Sequence, residues 1–158
     1  MQVAPARADF AEWPALLDLL RRSFAYMEGR VDPPSSLGRM DAECLRGLAA
    51  AGDLVLSRDG SQVVGCAFCT PKPTALYIGK VATDAAHRRR GIARALMAAA
   101  DDIARGRGLP ALELQVRIEL HEVQAAYDAM GFMQVGTASH PGYDRPTSLI
   151  LRRSLSTP

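Results

Sequence analysis

Apolar positions recur along this chain with two different periods, and the switches between them outline its elements. Gln2 to Pro5 can form a short first strand. From Phe10 to about Tyr26, the residues Trp13, Leu16, Leu17, Leu20 and Phe24 fall at helical spacing, which predicts an amphipathic helix. Pro33-Pro34 breaks that pattern, because proline cannot continue a helix, and a second helix follows from about Asp41 to Ala50. Leu54 to Ser57 and Gln62 to Thr70 read as two strands joined at Asp59-Gly60, a strong hairpin signal. Ala75 to Thr83 supplies a third strand. The period then turns helical through Ile92, Ala95, Leu96, Ala99 and Ile103, until Gly106-Arg107-Gly108 ends it.

Leu112, Leu114, Val116 and Ile118 alternate with Glu113, Gln115, Arg117 and Glu119, the signature of a strand with one buried face. Val123, Ala126, Tyr127 and Met130 make a short helix stopped at Gly131. Phe132 to Thr137 and Thr147 to Arg152 can pair as the last two strands. This order predicts an α/β (α+β) fold in which helices flank a mixed, mostly antiparallel sheet. No linker, repeat or low-complexity tract divides the 158 residues, so one domain over 1–158 is expected.

Composition narrows the function classes. Hydrophobic residues make up 48%, enough to bury a core, and the net charge is only +2. That near-even balance, with no aromatic residues interleaved among the arginines, argues against a nucleic-acid partner. No apolar run is long enough to cross a membrane, and no basic segment leads into an apolar stretch at the start. A cytoplasmic protein without a membrane partner is expected. Cys66 and Cys69 form a C-x-x-C inside an apolar strand, where an offset of three sends the two side chains to opposite faces. A buried strand therefore explains the pair better than a redox or metal site, and no metal is expected.

The chemistry concentrates in the segment from Val81 to Met97. Here a strand runs into a basic loop that opens directly into an Ala-rich helix. Helix-initial amides have no internal partners and carry partial positive charge, so such an end binds phosphate. Gly91 lets the backbone approach an anion, and Ala93 keeps the same surface free of bulk. Taken alone, Arg88-Arg89-Arg90 is equally a solvated basic turn; its place between strand and helix points to an anion site. The segment is neither a Walker P-loop nor a dinucleotide-binding fingerprint.

Arg88-Arg89-Arg90-Gly91-Ile92-Ala93 resembles the Q/R-x-x-G-x-G/A signature of the GNAT (GCN5-related) acyl-CoA-dependent N-acyltransferases. Tyr127-Asp128-Ala129-Met130-Gly131-Phe132 resembles that family's Y-x-x-x-G-F segment, one strand further on. The resemblance implies an enzyme that moves an acetyl group from acetyl-CoA, its cosubstrate, to a primary amine by direct attack in a ternary complex. It implies that Arg88, Arg89, Arg90, Gly91, Ile92 and Ala93 hold the CoA pyrophosphate. Val81 and Thr83 would pair with the pantetheine arm, and an N–H near Val81 would polarise the thioester carbonyl. Tyr127 would protonate the departing thiolate, although a tyrosine on a short helix also packs well in a core. Many members place Asn six residues before that tyrosine; His121 stands here, either as a hydrogen-bond donor to the cofactor or as a polar residue opening a helix.

In the fold implied, the acceptor cleft lies between residues 24–32 and 140–146. Tyr26, Glu28, Arg30, Tyr143 and Arg145 are thus expected to line it, suiting a small-molecule amine that carries a carboxylate gripped by Arg30 or Arg145. Glu28, Asp32, Glu119, His140 and Asp144 are the candidate proton acceptors, His140 being read mainly as solvated, and a water relay is an equal alternative to any of them. A homodimer is compatible with this reading. The alternative is a non-catalytic acyl-CoA-binding regulatory module that kept the cofactor loop and lost turnover.

Overall fold

The computed structural model describes residues 1–155 as a single seven-stranded sheet with helices on both faces. In chain order the elements are β1 (Gln2–Pro5), α1 (Trp13–Phe24), α2 (Ala42–Ala50), β2 (Asp53–Asp59), β3 (Gln62–Pro71), β4 (Leu76–Thr83), α3 (Ile92–Gly106), β5 (Ala111–Arg117), α4 (His121–Ala129), β6 (Met133–Ala138) and β7 (Ser148–Ser154). The strand order is β1-β2-β3-β4-β5-β7-β6, antiparallel throughout except for β4 and β5. The order of elements expected from the sequence is therefore observed. No helix of the described residues is long and apolar enough to cross a membrane.

The first helix starts at Trp13 rather than Phe10, because Pro14 occupies its first turn, where a missing N–H costs nothing and a fixed φ helps. Phe10 instead packs edge-on against Trp13, with ring centroids 4.8 Å apart. Trp13, Leu16, Leu19, Leu20 and Ser23 face inward at helical spacing. The α2 start is fixed by Asp41, whose carboxylate accepts from the Cys44 N–H at 2.9 Å and is held below the usual carboxylate range by that bond.

Two cores result. On one face α1 and α2 pack Leu16, Leu20 and Leu45 against Leu54, Leu56 and Phe68. On the other, α3 and α4 cover Val55, Val64, Leu76, Ile78, Leu112 and Leu114. Cys66 belongs to the first core and Cys69 to the second, so the C-x-x-C thiols do sit on opposite faces. Burial pushes each thiol up to about 12.

Two irregularities in the sheet place the functional site. Against β3, Lys80 and Val81 together face Ala67 alone, a β-bulge in which Lys80 takes φ 51°. Against β5, strand β4 pairs only at Leu76–Leu112 and Tyr77–Glu113; beyond that the two strands part. The β4 edge facing β5 from Ile78 to Thr83 thus has no strand partner, and a cleft opens between them.

The second core is tied to the sheet by a buried ion pair. Arg153 of β7 donates to both oxygens of Asp101 on α3, each at 2.7 Å, and to the Met130 carbonyl at 3.2 Å. Removing one member leaves the other's charge uncompensated away from water. Asp101→Ala should lower stability by about 3–5 kcal/mol in urea unfolding, and replacing Arg153 with Met in the same chain should recover much of that loss. An Asp101→Ala protein as stable as the wild type would show that solvent already shields the pair.

Candidate active site

The loop from Asp84 to Gly91 is pinned before it reaches α3. Asp84 is buried, and its N–H donates to the Val64 carbonyl at 2.8 Å. Arg22 of α1 donates to one Asp84 oxygen at 2.9 Å, and His87 Nδ1 lies 2.9 Å from the other. His87 Nε2 lies 3.0 Å from Asp59 at the end of β2. With a carboxylate at each ring nitrogen, the protonated imidazole donates twice, which raises the His87 pKa above its usual value; Asp84 is pulled down by His87 and then by Arg22.

Past this anchor the backbone turns left-handed at Arg89 (φ 65°) and again at Gly91 (φ 75°), which precedes the first turn of α3 without a side-chain cap. Among the described residues, none of the amides from Arg89 to Arg94 has a backbone partner, and Ala95 makes the first helical bond, to Gly91. Arg88, Arg89, Arg90 and Arg94 form no ion pair with any described residue. A run of free amides at the positive end of a 15-residue helix, ringed by unpaired guanidinium groups, forms a cradle with the chemistry to take an anion such as a diphosphate. Gly65 lets this end sit low on the sheet. A Cβ there would come within 2.8 Å of the Ile92 side chain, the first residue of α3.

From this cradle a groove of about 510 Å³ runs between β4, α3 and α4, lined by Val81, Thr83, Arg88, Arg89, Ile92, Ala93 and Tyr127 among others. The parting of β4 from β5 forms a second cavity of about 310 Å³, lined by Gly79, Lys80, Val81, Leu114, Gln115, Arg117, Tyr26 and His140. Val81, Val123 and Tyr127 line both. Tyr127 stands where groove and cleft meet, its ring held edge-on by Phe132 at 5.6 Å. Its hydroxyl has no hydrogen-bond partner among the described residues, and burial raises its pKa far above the usual value.

The Acetyltransferase (GNAT) family model matches residues 13–132. The chain belongs to the GNAT acetyltransferase family. The fold agrees across the whole length of this acetyltransferase. It superposes on an aminoglycoside 6'-N-acetyltransferase complexed with coenzyme A with a TM-score of 0.77, at 16% identity, covering 100% of this chain and 99% of the other. For the ribosomal-protein-S18-alanine N-acetyltransferase from Escherichia coli the values are 0.69, 17%, 99% and 95%. For a GNAT family acetyltransferase from Elizabethkingia anophelis with acetyl-CoA bound they are 0.68, 16%, 98% and 97%. A search of curated proteins found no match.

In this GNAT protein the residues expected from sequence divide into three groups. Val81, Thr83, Arg88, Arg89, Gly91, Ile92 and Ala93, expected to hold the cofactor, all line the groove. Arg90 and His121 are exposed and line neither cavity; Glu122, the next residue, takes a place on the groove wall instead.

The acceptor side needs correction. Tyr26 lines the cleft, and Glu28 lines a neighbouring cavity against Arg21 and Val31. Arg30 donates to Glu122 at 2.8 Å and lies over the Tyr26 ring at 5.7 Å. Tyr143 and Arg145 donate to the two oxygens of Asp32, at 2.6 and 2.8 Å, and neither lines the cleft. Both arginines expected to grip a substrate carboxylate are already bonded to carboxylates of this chain. Asp144 is exposed outside the cleft. His140, read as solvated, lines the cleft, and so does Arg117, which alternation along β5 placed simply on the polar face.

The His87 anchor makes a signed prediction. Its folded pKa is raised above 6.5, so its contribution is complete below that pH and vanishes as pH climbs through the folded value. Asp84, lowered from 3.8, contributes above that pH and loses its effect on acidification. Thermal unfolding followed from acid to mildly alkaline pH should show a loss on the alkaline side that His87→Gln lacks. Parallel curves for the two proteins would detach His87 from loop stability.

Proposed function

We propose that this GNAT enzyme transfers an acetyl group from acetyl-CoA to the primary amine of a small polar substrate, by direct attack in a ternary complex. The observation that carries this reading is the position of Tyr127, at the junction of an anion-binding groove and a separate cleft. The uncapped amides and unpaired arginines of the Arg88–Ala93 loop fit the diphosphate of the cosubstrate, and the unpaired β4 edge near Val81 fits its pantetheine arm. When bound, acetyl-CoA supplies the activated thioester.

The chain's own residues then manage two protons. Attack requires a neutral amine, so a base must stand in the cleft. His140 takes that role. Burial and the nearby Arg117 lower its pKa, so the ring stays neutral near neutral pH. Nδ1 is engaged by the Thr147 hydroxyl. With that hydroxyl turned to the Ala138 carbonyl, at 3.4 Å, Nδ1 donates and Nε2 keeps its lone pair for the amine. As the N–C bond forms and the C–S bond breaks, His140 accepts the amine proton and Tyr127 gives its own to the sulfur. An acid held protonated and a base held neutral in one cavity are the pairing such a transfer needs. Cys66 and Cys69 are buried with thiols at about 12, so neither carries the acyl group.

Thiol release from acetyl-CoA across a panel of amines tests the reading. Tyr127→Phe and His140→Ala should each cut turnover by about 10²–10⁴-fold while acetyl-CoA affinity barely changes. Full activity in Tyr127→Phe would assign that ring to packing. Acetyl-CoA at a hundred times its dissociation constant should stabilise the wild type by about 2.7 kcal/mol, and Gly91→Val, which forces a side chain into a left-handed position, should abolish that shift. Binding without turnover on any amine would favour the regulatory module.

A further inference from the structure

Arg117 closes β5 on the cleft wall in an unusual electrostatic position. Its Nη1 donates to the Pro33 carbonyl at 2.7 Å, and it forms no ion pair with any described residue. The carboxylates near it are committed elsewhere. Tyr143 and Arg145 take both oxygens of Asp32. One oxygen of Glu119 accepts from the Asp32 N–H at 3.1 Å, and the other is sealed from solvent without a partner. Glu119, Asp32 and Tyr143 act on the guanidinium only at a distance, and burial opposes its charge more strongly than any of them supports it.

A partly buried cation without a bonded anion is costly, and an anion arriving as part of a ligand removes that cost. The geometry says which anion. With Nη1 taken, the Nε and Nη2 hydrogens remain as a parallel pair along one edge of the guanidinium. That edge matches the two oxygens of a carboxylate. Arg117, His140 and Tyr127 line the same cavity of about 310 Å³, so a carboxylate held here belongs to a short molecule whose amine can reach the proton-transfer groups.

We propose that Arg117 binds a carboxylate of the acceptor through Nε and Nη2, making the acceptor an amino-acid-like compound with amine and carboxylate a few bonds apart. This rests on the acetyl-transfer reading and assigns the substrate class of the same cleft. Arg30 and Arg145 are already bonded to Glu122 and Asp32, which leaves Arg117 as the guanidinium on the cleft wall.

The test uses the full chain loaded with coenzyme A, with N-acetyl amino acids and their carboxamides as product probes in calorimetric titrations. The carboxylate of each pair should bind about tenfold more tightly or better, as a charge-assisted two-bond contact provides. Arg117→Met should erase that preference, and Arg117→Lys should restore only part of it, while the coenzyme A melting shift stays unchanged in both. Carboxamides that bind as well as the carboxylates, no binding of either, or a preference that survives in Arg117→Met would overturn the proposal. Thiol release from acetyl-CoA with the free amino acids and amino amides judges the underlying reading separately. Carboxylate-selective binding without thiol release overturns acetyl transfer and leaves the Arg117 site standing. Equal thiol release from both kinds of amine keeps acetyl transfer and removes the carboxylate contact.

Discussion

Strands β4 and β5 exchange hydrogen bonds only around Leu76–Leu112 and Tyr77–Glu113, and both the groove and the cleft depend on the point where they separate. A parallel pair that continued to Thr83 would fill the sheet and leave no interior surface for a ligand. Because the strands part, the β4 edge faces open space on one side, while β3 still holds it on the other. The bulge at Lys80 adds to this by turning the backbone just before Val81, the residue shared by groove and cleft. The two-sided core supports the opening: helices cover both faces, so the unpaired edge costs local hydrogen bonding without loosening the sheet.

The charges are arranged by distance from the reacting centre. At the cradle the chain presents unpaired cations and free amides, suited to an anion that remains solvent-facing. At the junction stands Tyr127, whose hydroxyl burial holds further toward its neutral form, and on the cleft wall His140, whose ring burial and Arg117 bias toward the neutral form. The cradle itself is set by remote anchors. Arg22 on α1 and Asp59 on β2 meet at Asp84 and His87, so the loop's shape depends on two side chains that line neither groove nor cleft.

Much of the fold was legible because its signals are local. Alternation over Leu112–Ile118, the Asp59-Gly60 turn and the glycine after Arg90 each announce one structural event within a few residues. The groove was legible for the same reason, since one strand-loop-helix segment builds most of its wall and the short helix α4 the rest. The acceptor side was not. Tyr143 and Arg145 find Asp32 more than a hundred residues away, and Arg30 finds Glu122; no local pattern reveals that these side chains are already committed. Arg117 was passed over, and His140 was kept only as one of several proton acceptors and read mainly as solvated, because alternation and a Pro-Gly loop mark both as solvent-facing. The parting of the strands converts that surface into a cavity wall.

The bonds from Tyr143 and Arg145 to Asp32 join the two loops that flank the acceptor cleft. Their ionic member is exposed on both sides, so it is worth little, on the order of 0–1 kcal/mol, and weakens further with salt. The doorway is therefore fastened by a latch far weaker than the frame around it. Opening that contact would break no strand pairing and none of the bonds that pin the Asp84–His87 anchor.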